Sequence, residues 1–157
     1  ISEELSIMRT TLAASMIHAV ANNQKKGNLE GRLFEIAKKF IPKELPLVEY
    51  PDERQTLCVA VFGEKESFFT LKGIVEAIIA EFSDERPSFE RSTENYMHPG
   101  RSAFAIIKGE KIANFGEVHP AVAKKADIDT RCFIAEIYLD IDKGLREAKK
   151  LIRQYSK

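Results

Sequence analysis

At 157 residues the chain has the length of one ordinary domain, enough to bury roughly 68–70% of the surface its unfolded form exposes. Hydrophobic residues at 44% and charged residues at 31% argue against disorder. The 24 basic side chains balance 24 acidic ones, which excludes the whole-chain positive footprint of a dedicated nucleic-acid binder. No apolar run approaches the ~20 residues that a bilayer span needs, so no membrane partner is expected. Two cysteines, Cys58 and Cys132, are too few for a disulfide framework, and a reducing, cytoplasmic setting is the default expectation. The chain opens at Ile1 without a targeting pattern and is read as an excised piece of a longer protein.

The first helix signal follows Thr10 and Thr11, either of which suits an N-cap. Leu12, Met16, Ile17 and Val20 form a one-face stripe, and Gly27 is a good left-handed stop. Arg32 to Ile41 reads as a strand, with Phe34, Ile36 and Phe40 on one face and Leu33, Glu35, Ala37 and Lys39 on the other. Pro42, Pro46 and Pro51 punctuate an acidic, exposed connection. Gln55 to Phe62 is apolar on both faces, as a central strand is. Thr70 to Phe82 predicts a helix on the stripe Leu71, Ile74, Val75, Ile78, Ile79 and Phe82. Gly73 inside it costs about 1 kcal/mol relative to alanine and is read as allowing close backbone packing.

A short strand is expected around Phe89, then a type II turn at His98-Pro-Gly-Arg101. Ala103–Ile107 and Lys111–Val118 read as a hairpin, with Gly109 supplying a positive φ. Pro120 opens a short helix through Ala126. Arg131 to Ile141 alternates, placing Phe133, Ala135, Ile137, Leu139 and Ile141 on one face. A last helix is expected from about Asp142 to Tyr155, with Leu145, Ala148, Leu151, Ile152 and Tyr155 as its apolar stripe. Strands that follow one another without an intervening helix predict an α+β fold, a largely antiparallel sheet with helices packed on one face.

Several chemistries are absent from the pattern. No two glycines lie two residues apart, so a G-x-G-x-x-G phosphate turn cannot form, and no Walker, H-E-x-x-H or G-x-S-x-G segment occurs. Cys58 and Cys132 fall in predicted strands, where a buried, inert thiol is the usual state. His98 and His119 each precede proline and are read as shaping turns, and His18 as a partly exposed helix residue.

The segments Ser2-Glu-Glu-Leu-Ser-Ile-Met-Arg-Thr-Thr-Leu12, Gly31-Arg-Leu-Phe-Glu-Ile36 with Phe40, and Phe69-Thr-Leu-Lys-Gly73 carry a family resemblance. So do His98-Pro-Gly-Arg-Ser102, Gly116-Glu-Val-His-Pro120 and Ile137-Tyr-Leu-Asp140. In this order they resemble the core of the bacterial-type phenylalanyl-tRNA synthetase beta subunit over nearly the whole chain. The resemblance implies a class II synthetase-like antiparallel sheet flanked by helices, one domain over 1–157, with about 142–157 leading toward a further domain. It implies an alpha-two beta-two assembly that attaches phenylalanine to its tRNA with ATP and Mg²⁺. The alpha subunit and tRNA(Phe) are the implied partners, and this module is implied to have a structural role without catalysis.

The same resemblance offers a physical test. Adenylate formation builds negative charge on a phosphate, and one lost transition-state donor typically costs about 10²–10³ in rate. The family's catalytic signature ends in a glycine-rich segment with arginine, whereas Ile134 to Asp140 has neither residue. An earlier arginine is expected directly after an aromatic residue, and here Phe34 is followed by Glu35. Arg9, Arg32, Arg101 and Arg131 are the remaining candidate cations, with Arg9 and Arg101 expected to pair with carboxylates or carbonyls. No catalytic, cofactor or metal residue is therefore assigned to this chain. The alternatives are an active class II ligase or adenylate-forming paralogue, and an RNA-contacting module using Lys149, Lys150 and Arg153 on the basic last helix.

Overall fold

The computed structural model describes residues 9–44, 46 and 48–139. The helix expected over about 142–155, and with it Lys149, Lys150 and Arg153, lies outside the described residues. In chain order the elements are α1 (Ala13–Lys25), β1 (Gly31–Ile41), β2 (Asp52–Phe62), α2 (Phe68–Ala80), β3 (Ser88–Arg91), β4 (Met97–Ile107), β5 (Glu110–Val118), α3 (Pro120–Lys125) and β6 (Cys132–Tyr138). The strands form one sheet in the order β1-β2-β6-β5-β4-β3, and every neighbouring pair is antiparallel. This is the expected α+β sheet flanked by helices. The last strand in sequence among the described residues is thus inserted at the centre, which no local pattern announces.

The helices divide between the two faces instead of gathering on one. Residues of α1 pack with Cys58, Ala60, Phe62, Cys132 and Ile134, and α3 joins this side through Val122 and Ala123. Residues of α2 pack on the opposite parity, against Val59, Val61, Phe115, Phe133, Ala135 and Ile137. A period of two sends these sets to opposite sides of the sheet. That double cover explains why β6 is buried on both faces, although its alternation predicted only one buried face.

Local chemistry accounts for most element ends. The Ser67 side chain accepts the Thr70 amide at 3.1 Å, which starts α2 earlier than the apolar stripe alone predicts. Lys108 and Gly109 both have positive φ, 51° and 81°, and close the β4–β5 hairpin as a two-residue turn. His119 Nδ1 accepts the Ala121 amide at 3.1 Å and caps α3 ahead of Pro120.

Three local expectations need correction. Neither Thr10 nor Thr11 is the N-cap of α1, since Leu12 holds that position and Thr11 Oγ1 instead accepts the Ala13 amide at 3.1 Å. His98-Pro-Gly-Arg101 is not a chain-reversing turn. It lies inside β4, where the register slips between Met97 and Ser102, and Gly100 is not among the glycines with positive φ. The bulge is held by the Gly100 amide donating to His98 Nδ1 at 3.0 Å and by Ser102 Oγ donating to the His98 carbonyl at 2.8 Å. Gly73 supports no close packing, because a Cβ placed there would meet nothing within 4 Å.

Candidate functional site

On the α1 face, antiparallel pairing aligns one polar row across four strands: Glu35 of β1, Cys58 of β2, Glu136 of β6 and Asn114 of β5. The start of α1 lies over this row. Arg9 donates to Glu35 at 2.9 Å, Ser15 Oγ to the same carboxylate at 3.3 Å, and the Leu12 amide to Glu136 Oε1 at 2.7 Å. Glu136 is only 3% exposed. Its second oxygen accepts the Tyr96 hydroxyl at 3.2 Å. Tyr96 in turn accepts from Asn114 Nδ2 at 3.1 Å, and Ser92 Oγ donates to Asn114 Oδ1 at 2.7 Å. The space between the start of α1 and the sheet centre is therefore occupied by a connected polar network, the arrangement in which buried polar groups are tolerated.

Four residues along β1 from Glu35, Lys39 is buried and its ammonium lies 3.9 Å from the Tyr138 ring centroid, a cation–π contact. Burial lowers the Lys39 pKa, opposed by the attraction of Glu136. Burial raises the Tyr96 and Tyr138 hydroxyls, and the negative charge of Glu136 adds to both shifts. Burial also raises the Cys58 thiol and pushes the Cys132 thiol up to about 12, so neither is a ready nucleophile.

Each of the four candidate arginines meets a carboxylate. Arg9 holds Glu35, Arg32 Nε holds Glu66 at 3.0 Å, and Arg101 and Arg131 converge on Glu117. The pairing expected for Arg9 and Arg101 is thus found, and it extends to the other two. The Arg131 bond to Glu117 is 3.1 Å. Glu35, which stands where the family's earlier arginine is expected, is itself paired with Arg9. His98 and His119 serve the local hydrogen bonds described above, and His18 is exposed. Among the described residues no three His, Cys, Asp or Glu side chains are grouped as a metal ion requires, so no step through Mg²⁺ is assigned here.

Glu117 is half of an acid-sensitive contact. Burial pushes its pKa up, but the hydrogen bonds and charges of Arg131 and Arg101 outweigh this and leave it lowered. A carboxyl lowered in the folded state stabilises the fold above the unfolded pKa and ceases to do so as pH falls through the folded one. Substituting Glu117→Gln is expected to cost about 2 kcal/mol at neutral pH. The gap from wild type should close as the pH falls below the ordinary carboxylate value of 4.5. Urea denaturation of both proteins across that window checks it, and a gap independent of pH would refute it.

The network is the part that residue patterns missed. Its signal was present: Cys132-Phe-Ile-Ala-Glu-Ile-Tyr138 is an apolar strand interrupted by one carboxylate, which in a doubly covered strand must find partners.

The comparisons agree with this architecture. Residues 1–139 match the family model described as the phenylalanyl tRNA synthetase beta chain CLM domain. The chain is 40% identical over 142 residues to the phenylalanine–tRNA ligase beta subunit of Clostridium tetani, covering 90% of this chain and 18% of that protein. It is 37% identical over 156 residues to the beta subunit of Clostridium acetobutylicum, covering 99% of this chain and 19% of the relative. The chain thus spans about a fifth of the length of these relatives. Among solved structures, the pyrrolysyl tRNA synthetase PylSc of Desulfitobacterium hafniense superposes with a TM-score of 0.70 at 15% identity, over 89% of this chain and 50% of that one. That likeness concerns the fold, a synthetase-type sheet. With the family model matched along all but the last residues, this chain belongs to the phenylalanyl-tRNA synthetase beta chain CLM domain family.

Proposed function

We propose that the chain is a non-catalytic, structural module of a cytoplasmic phenylalanine–tRNA ligase, supporting the interface with the catalytic alpha subunit in an alpha-two beta-two assembly. In this reading the assembly charges tRNA with phenylalanine at the expense of ATP, using Mg²⁺ bound elsewhere. The single observation that carries the proposal is the polar network beneath the start of α1. Glu136, Tyr96 and Asn114 satisfy one another there, and Lys39 is buried against Tyr138. The four arginines that could have met a phosphate are already engaged by carboxylates. A triphosphate entering there would meet the buried negative charge of Glu136, with these four guanidiniums already paired.

An interface role also needs apolar surface. Phe34 at 75% and Ile36 at 53% exposed stand side by side on β1, on the face that α2 covers only farther along the sheet. Such a pair on an outer strand suits a docking surface within a larger assembly.

Titration calorimetry with ATP, with and without Mg²⁺ and phenylalanine, tests the non-catalytic part. No saturable heat is expected at millimolar nucleotide; a micromolar dissociation constant, or ATP–pyrophosphate exchange by this chain, would overturn the reading. Co-purification with an alpha subunit tests the interface part separately.

A further inference from the structure

The first turn of α1 carries no acidic residue, and its N-cap, Leu12, has no polar side chain. Nevertheless the Leu12 amide is bound by a carboxylate, and that carboxylate comes from Glu136 on the central strand, 124 positions away. The same side chain reaches Tyr96, in the segment between β3 and β4. One buried group therefore ties three distant parts together: the start of α1, the centre of the sheet, and the segment that precedes the β4 bulge. Its neighbours along the row are a thiol and an amide, Cys58 and Asn114, neither of which carries charge. Glu136 is buried to 3% exposure, whereas Glu35 on the outer strand remains partly exposed.

We propose that Glu136 acts as an internal counter-ligand, a strap that holds α1 and the Tyr96 segment down on the sheet and itself occupies the position an anion would take between their two donors. The Leu12 amide and the Tyr96 hydroxyl are the two donors that a free carboxylate would otherwise require. A side chain tethered to β6 holds that position at high effective concentration and excludes competitors. Exclusion of an outside anion is in this view an active property of one residue and more than a mere loss of arginines. The inference stands on the contacts of Glu136 and does not depend on the non-catalytic reading: nucleotide bound elsewhere on the chain would leave it intact.

Glu136→Ala tests it on the full 157-residue chain. Removing the carboxylate frees both donors and leaves a space of matching size. Acetate and formate are titrated into the variant and followed by urea denaturation, with chloride at equal ionic strength as control. A saturable rise of about tenfold in the folding equilibrium constant is expected once the anion exceeds its dissociation constant by about tenfold. Wild type and Glu136→Gln, in which the position stays filled, should respond to acetate no more than to chloride. A folded Glu136→Ala with no carboxylate-specific response overturns the proposal.

If Glu136→Ala does not fold, Glu136→Gln decides by amide hydrogen exchange. The amide retains the shape and removes the charge, so Leu12 should exchange about tenfold faster relative to the middle of α1. Unchanged Leu12 protection overturns the proposal.

Discussion

Replacing Phe115 by alanine is expected to cost about 3–5 kcal/mol, a large part of the 5–15 kcal/mol typical of a whole domain. Phe115 is fully buried on β5 beneath α2. Its ring stacks on Phe68 with centroids 5.4 Å apart and meets the edge of Phe89 at 5.9 Å. Its lateral neighbours on the two adjoining strands are Ala103 and Ala135. Alanines cannot extend into the space a lost ring leaves, and strand backbones held on both sides cannot close it. The cavity should therefore persist, which is the condition under which truncation costs most. Urea denaturation should show a lower midpoint with an unchanged slope. A loss below about 1 kcal/mol would mean that the site collapses and that the α2 face is less tightly built than its geometry indicates.

Gly116→Ala should also be severe, for the opposite reason. A Cβ at this position would lie 2.5 Å from Ser102 Cβ, 2.6 Å from the Arg101 carbonyl oxygen and 2.6 Å from Ser102 Cα. Two of these atoms are backbone and cannot swing aside, so the bulged part of β4 must move away from β5. That displacement would disturb the Ser102 bond to His98 and the Arg101 bond to Glu117. The expected cost is about 3 kcal/mol, the upper end of ordinary overpacking. Gly73→Ala provides the matched contrast: it lies in α2 with nothing within 4 Å, and the same substitution should stabilise by up to about 1 kcal/mol. Denaturation midpoints that moved in the same direction for both variants would refute the steric account of Gly116.

Elements whose causes lie within a few residues were legible before the fold was known. The apolar stripe of α2 needs only a period of 3.6, and the β4–β5 hairpin only the conformational freedom around Gly109. The double burial of β2 follows from its apolar run. Errors arose where a local signal had a nonlocal competitor. His98-Pro-Gly-Arg101 has turn composition, yet pairing of β4 with β5 stretches it into a bulge over Gly116. Leu12 displaces the threonines as N-cap because a carboxylate from β6 is available to its amide.

The candidate site shows the same division more sharply. Missing glycine and arginine in Ile134 to Asp140 could be read directly, as could the presence of Arg9, Arg32, Arg101 and Arg131. Their partners could not. Glu117 receives two arginines only because β5, the β4 bulge and the residue preceding β6 converge. Glu136 reads as the polar side of an alternating strand until α1 covers it.

The residues alone determined the helix and strand types, the hairpin, the family membership carried by ordered short segments, and the absence of a glycine-rich phosphate loop. Those properties depend on side-chain periodicity and on which residue types are present, and both are local. The tertiary structure alone decided that β6 enters between β2 and β5, that α1 and α2 take opposite faces, and that Glu35, Cys58, Glu136 and Asn114 form one row. Antiparallel register sets such a row by pairing residues 22 to 78 positions apart, and the energy that selects it comes from burying both faces of the sheet together.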